Sequence, residues 1–209
     1  MNKIFGIGFH KTGTTTLQVA LNMLGFTSCD IRHDLLASIK AGDFQPVRQV
    51  VAQYDAFVDN PWPIIYRQLD ELYPNSKFIL TWRDSQKWYQ SCVKHFNSKK
   101  NPMREWIYGA GCPLGHEETY ISVYEKHNRE VLDYFRNRPN DLLVLNWENG
   151  SRWKALCDFL EVPVPPLGIP YLKNICDLLG LPTPAKRWFP HKNSQKSRIY
   201  KRVKRKLNP

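Results

Sequence analysis

KIFGIGFHKTGTTTLQVAL, Lys3 to Leu21, reads as a short apolar strand that runs through a glycine-flanked turn into a helix. Gly8 and Gly13 have the G-x-x-x-x-G spacing of a nucleotide-binding loop, but the lysine lies inside the loop at Lys11, and Thr14 stands where a nucleoside triphosphatase has its lysine. Glycines let backbone N–H groups turn inward, and the N-terminus of the following helix aims unpaired donors and a positive dipole end at an anion. Thr14, Thr15 and Thr16 add hydroxyls. The plainer alternative is a strand-to-helix turn rich in capping residues.

Working outward, apolar runs of strand length recur at Ile4 to Gly8, Ala56 to Asp59, Lys77 to Trp82 and Leu142 to Asn146, with a weaker one at Gly25 to Cys29. Helical spacing lies between them at Thr15 to Leu24, Ile64 to Leu72, Ser85 to Phe96 and Thr119 to Phe135. Continuous hydrophobicity suits strands covered on both faces, so the expected fold class is α/β, a three-layer αβα plan with a central parallel sheet. In such sheets ligands bind beyond the carboxyl ends of the strands. The Lys11 loop, Asp59, Arg83, and Trp147 with Glu148 fall at those ends.

Two segments carry a resemblance to a known family. GFHKTGTTTL resembles the 5′-phosphosulfate loop of sulfotransferases that use 3′-phosphoadenosine 5′-phosphosulfate (PAPS). FILTWRDSQKWYQS, Phe78 to Ser91, is similar to the family's 3′-phosphate motif, with Arg83 at a strand end and Ser91 eight positions later. LLVLNWENGSRWKALCDFL also resembles the family's late strand, acidic turn and following helix. The resemblance implies a P-loop-like fold and transfer of a sulfuryl group from PAPS to a hydroxyl or amine of a small-molecule or glycan acceptor, leaving adenosine 3′,5′-bisphosphate. The sequence departs from the pattern twice. Leu17 stands where an aromatic often stacks on adenine, and WFPHKNS, Trp188 to Ser194, stands in place of the family's basic, glycine-rich segment.

The donor requires two anion sockets. His10, Lys11, Thr12, Gly13, Thr14, Thr15 and Thr16 are the candidates for the 5′ end, and the Lys11 ammonium could contact the oxygen on which charge builds as the S–O bond breaks. Arg83, suited to bidentate phosphate capture, and Ser91 are the candidates for the 3′ end, joined by Lys192 and Asn193 in WFPHKNS. For Arg83 the alternative is a surface ion pair with Asp84; for Ser91 it is a serine on a helix surface. A base must take the acceptor's proton. Asp59, in FVDNPWPIIY, is the first choice because it ends a predicted strand beside the loop, although it could instead cap the next helix or serve the turn. His33 and His10 are lesser candidates, and His10 could pack against the loop.

The 209 residues suffice for one well-cored domain, so a single domain, 1–209, is expected. No apolar run reaches the ~20 residues needed to cross a bilayer, and the N-terminus enters a strand without a secretory signal pattern. A cytoplasmic protein is therefore expected. Five cysteines without a C-x-x-C pair suit a reduced, partly buried set, and no metal site is expected. The net charge of +11 is concentrated in the tail: Lys186 to Lys206 contain ten basic residues and no acid, leaving 20 basic against 19 acidic elsewhere. Residues 186–209 read as a solvated end or as a basic amphipathic helix that docks on the domain or lies on an anionic membrane. No nucleic-acid module is recognisable. Residues 95–118, broken by Pro102, Gly109, Gly111, Pro113 and Gly115, read as a lid or acceptor-facing loop, or as plain surface loop. KALCDFLEVPVP, Lys154 to Pro165, repeats as KNICDLLGLPTP, Lys173 to Pro184. The remaining readings are a nucleoside-triphosphate-dependent kinase on a related fold and a non-catalytic nucleotide- or membrane-binding protein.

Overall fold

The computed structural model describes residues 2–149 and 153–165. Their strands are β1 (Ile4–Gly6), β2 (Ser28–Cys29), β3 (Ala56–Phe57), β4 (Lys77–Thr81) and β5 (Leu142–Leu145). The helices are α1 (Thr14–Met23), α2 (Leu36–Lys40), α3 (Gln45–Val51), α4 (Tyr66–Leu72), α5 (Ser85–Phe96), α6 (Pro102–Tyr108), α7 (Glu117–Tyr134) and α8 (Trp153–Phe159). All of them belong to one compact unit that ends at Pro163. The strands form one sheet in the order β2-β3-β1-β4-β5, and every pairing is parallel. The α/β class read from the sequence is the observed one.

Central β1 shows why the sheet needs cover on both faces. Phe5 is in register with Phe57 of β3 and Phe78 of β4, and the three rings run across the sheet at 5.0 and 5.5 Å. They are fully buried with Val47, Val51, Leu69 and Val131, so α3, α4 and α7 cover that face. Each such ring contributes roughly 1.5–3 kcal/mol through burial. The opposite face carries α1, packed so tightly that a Cβ on Gly6 would stand 3.0 Å from Leu17.

A second core lies at the C-terminal edge of the sheet. Phe9, Trp88, Tyr89, Cys92, Tyr108, Ala110, Tyr120 and Tyr124 are buried together. Trp88 stacks on Tyr124 at 4.2 Å, and Tyr108 on Tyr120 at 4.1 Å. Residues 95–118 join this core, in part as a helix. Asn101 caps α6 through Met103 N and Arg104 N, and Met103, Tyr108, Ala110 and Cys112 are buried. Arg104 is buried as well; its Nε donates to Gly111 O at 3.0 Å, and its guanidinium lies over the Phe96 ring at 4.2 Å. Seven of these 24 residues, 103, 104, 108 and 110–113, are therefore core.

The four described cysteines, Cys29, Cys92, Cys112 and Cys157, are buried thiols. The first copy of the repeat includes most of α8; the second copy, Lys173 to Pro184, and the basic segment 186–209 lie outside the described residues.

Candidate functional site

The loop after β1 is closed from within. Ile7 N still donates to Ile79 O at 2.8 Å, and a Cβ on Gly8 would fall 2.1 Å from Thr81 Oγ1 and 2.4 Å from Thr81 O, so only glycine lets the loop start against β4. The Thr12 hydroxyl donates to Phe9 O at 2.6 Å and lies 2.5 Å from Thr81 Oγ1. The Thr12 side chain thus ties the loop to β4. Lys11 occupies the crest with φ 66°, a left-handed conformation that costs an L residue on the order of 1 kcal/mol.

The His10 side chain packs inward as well. It is buried, with Nδ1 taking a hydrogen bond from Asn60 Nδ2 at 3.2 Å and Nε2 3.2 Å from the Tyr108 hydroxyl. Its carbonyl accepts the Trp88 indole N–H at 2.8 Å. His10 is thus a strut between the loop and the aromatic core, as the alternative reading had it. Behind it, His127 stacks on Phe9 at 4.2 Å and its Nε2 donates to Ile7 O at 2.8 Å. Burial holds the His127 imidazole down to about 4, so it is neutral at physiological pH.

Gly13, at φ 100°, turns the loop into α1, and its missing side chain makes room for Trp147: a Cβ there would stand 2.3 Å from the indole Cδ1. α1 has no capping side chain and no acid in its first turn. Leu17 N is bonded to Gly13 O, whereas the N–H groups of Thr14, Thr15 and Thr16 have no acceptor among the described residues. Those donors and the positive end of the helix form a cradle suited to an anion. Thr15 is exposed and Thr16 half-buried, so both reach the cradle's mouth. Thr14 is buried, and its hydroxyl makes a long contact of 3.4 Å to Asp59 Oδ2.

Asp59 therefore stands beside the loop, at the end of β3. Its φ of 67° and the bond from Asn60 N to Oδ1, 2.8 Å, turn the carboxylate back toward the strand end. His33 is exposed at the start of a 3-10 turn, His33–Leu35, and Arg32 N donates to Asn60 O at 2.9 Å, so the backbone brings it near the same strand end.

The second socket is built on β4 and α5. The Tyr124 hydroxyl holds both main-chain groups of Arg83, accepting from its N at 2.9 Å and donating to its O at 2.8 Å. The guanidinium pairs with Glu148 rather than with Asp84: Nη2 lies 2.8 Å from Glu148 Oε1. Asp84 instead caps α5, accepting from Lys87 N at 2.9 Å. Glu148 Oε2 also lies 3.6 Å from Lys87 Nζ. Arg83, Lys87 and Ser91 follow at intervals of four, so Lys87 and Ser91 share one stripe of α5 next to Arg83. Ser91 is half-buried. Lys87 is a functional candidate the sequence reading missed, although its spacing from Arg83 would have shown it. Glu148 was placed at a strand end without a role. Lys192 and Asn193 lie outside the described residues.

A strand-to-helix turn with unpaired first-turn N–H groups, a carboxylate beside it, and an arginine with a helix stripe at the next strand end lie along one edge of the sheet. Residues 3–118 and 103–174 match the sulfotransferase domain family. The chain belongs to that family. It is also similar to the Ava biosynthesis cluster protein M of Aspergillus versicolor, with 25% identity over 210 aligned positions covering 81% of this chain and 80% of that protein. Among the described residues no group of three or more His, Cys, Asp or Glu is placed to hold a metal ion, and no helix is long and apolar enough to cross a membrane.

Proposed function

We propose that the protein transfers a sulfuryl group from PAPS to a hydroxyl or amine of a small-molecule or glycan acceptor. The observation that carries this reading is the pair of separated anion sockets at adjacent strand ends: the open first turn of α1 behind Lys11, and Arg83 with its α5 stripe. The residues present fit the donor. Thr14, Thr15 and Thr16 offer unpaired N–H groups to its 5′ end, and the Arg83 guanidinium, on a side chain that is 29% exposed, is a planar fork suited to a phosphate.

The donor, when bound, supplies the activated sulfuryl group. Lys11, at the loop crest, would neutralise charge on the leaving phosphate, and a preorganised cation of this kind is worth several kcal/mol in a water-poor site. The first turn of α1 would orient the same end. Asp59 would accept the proton of the acceptor's nucleophilic oxygen or nitrogen, a role its place beside Thr14 allows. Cys92, beneath these groups, is no rival nucleophile, because burial holds its thiol protonated despite nearby Lys11, Arg104 and Arg83.

The test is a thermal-shift series without magnesium. Adenosine 3′,5′-bisphosphate at a hundred times its dissociation constant adds about 2.7 kcal/mol, which raises Tm by roughly 5–10 °C for a chain of this size. ATP should do much less. Magnesium-dependent stabilisation by ATP alone would transfer the protein to the kinase reading.

A further inference from the structure

Arg83, given a phosphate in the reading above, already holds an anion supplied by the chain itself. Glu148 places one carboxylate oxygen 2.8 Å from the Arg83 guanidinium and the other 3.6 Å from Lys87 Nζ. Neither backbone depends on that contact. Arg83 is pinned through its N and O by the Tyr124 hydroxyl, and the Glu148 turn is held by the bond from its own N to Asn146 Oδ1, 2.9 Å, and by Trp147 lying against Gly13. The carboxylate is therefore a charge placed on two cations rather than a tie between two segments. All three side chains keep a path to solvent, with Arg83 29%, Glu148 35% and Lys87 63% exposed.

Two cations and one carboxylate leave a single positive charge for a phosphate monoester that brings about −1.5 to −2 at neutral pH. A phosphate on the Arg83 fork would also meet Glu148 at close range, and like charges oppose such an approach.

We propose that Glu148 is an internal competitor for the donor's 3′-phosphate: it occupies Arg83 and Lys87, yields them to an entering phosphate, and thereby limits how tightly the bisphosphate product is held. The proposal rests on the sulfotransferase reading of the site. Product release is the step it favours, because a returning carboxylate can displace a phosphate without waiting for water to solvate the arginine.

The experiment titrates the full chain with adenosine 3′,5′-bisphosphate and with 5′-AMP, which lacks the 3′-phosphate, at low salt by calorimetry. Glu148→Gln should bind the bisphosphate roughly five- to tenfold tighter, with 5′-AMP unchanged within about twofold. Glu148→Ala, which removes the hydrogen bond as well as the charge, should tighten it likewise. Dissociation of the bisphosphate should slow in stopped flow, and the gain should shrink at high salt. Thermal unfolding of both variants reports that they are folded. If the wild-type protein binds the bisphosphate and both variants bind it equally or more weakly, Glu148 orients Arg83 and the proposal is wrong while the reading of the site survives. If the wild-type protein binds no bisphosphate, the site reading falls and the proposal falls with it.

Discussion

Gly13→Ala separates two demands that the loop places on one residue. At φ 100° an L side chain is strained, at a cost of about 1–2 kcal/mol. The new methyl would also stand 2.3 Å from Trp147 Cδ1 and 2.8 Å from its Nε1, where carbon contacts normally lie near 3.5–4.0 Å. The indole is half-buried and must shift by about 1 Å, a repacking that costs roughly another 1–3 kcal/mol. Gly25→Ala is the control, since Gly25 has φ 95° and nothing within 4 Å of its Cβ position. The first cost applies to both variants and the second to Gly13 alone. In calorimetric melts Gly13→Ala should lower Tm by roughly 4–20 °C, and Gly25→Ala by no more than about half as much. The cycle Gly13→Ala, Trp147→Ala and their double variant should show a coupling of about 1–3 kcal/mol. Equal losses at the two glycines, with no coupling to Trp147, would refute the close approach of the β5 turn to the loop.

Lys11→Ala should lower kcat by more than tenfold while leaving bisphosphate affinity within severalfold, as steady-state kinetics and titration together would show, because its contact strengthens only as charge develops. Asp59→Asn should keep bisphosphate binding and lose most transfer; near-normal turnover with a lower Tm would make it a turn residue and move the base to His33. Stability should fall on acidification through His127: its folded value of about 4 lies below the usual 6.5, so the unfolded chain binds the extra proton first. The loss begins as pH drops below about 6.5 and is complete near 4, about 3 kcal/mol at most, and His127→Gln should flatten that part of a denaturant-derived stability profile.

The periodic part of the fold was legible because strands buried on both faces write continuous apolar runs, and β1, β3, β4 and β5 all begin at the residues those runs indicated. Their ends were read long, since Ile7 and Val58 keep a ladder bond after the regular strand has stopped. α2 and α3 were not read at all: five and seven residues give too few turns for a period to show. Local motifs placed Lys11, the threonines, Asp59, Arg83 and Ser91 at one edge of the sheet. What they could not give was direction. Thr12 and Thr15 look equivalent in KTGTTT, yet one hydroxyl turns into β4 and the other residue is exposed, a choice made by Thr81 sixty-nine positions away. Arg83 likewise chose Glu148 over adjacent Asp84 because the α5 cap claims Asp84, and a charge pattern along the chain records proximity in sequence, not which acceptor is already engaged.

The distance between the two sockets is set by residues that belong to neither. Trp88 gives its indole N–H to the His10 carbonyl beside Lys11, and its ring stacks on Tyr124 with a 10° interplanar angle. The Tyr124 hydroxyl in turn holds both main-chain groups of Arg83. One stacked pair, from α5 and α7, thus connects the crest of one socket to the root of the other. Neither aromatic can be displaced without unpairing a buried polar group, which costs about 1–3 kcal/mol. Such a frame leaves the phosphate-to-phosphate span fixed before any ligand arrives, and fixed geometry reduces the ordering cost of binding. It also locates what can move. Lys87 and Glu148 make no contact with the stacked pair among the interactions described, and both reach solvent. In the proposed reaction a rigid site of this kind would hold a product with two phosphates strongly, so the freedom to release it would lie in side chains outside the frame, which is where the carboxylate on Arg83 is found.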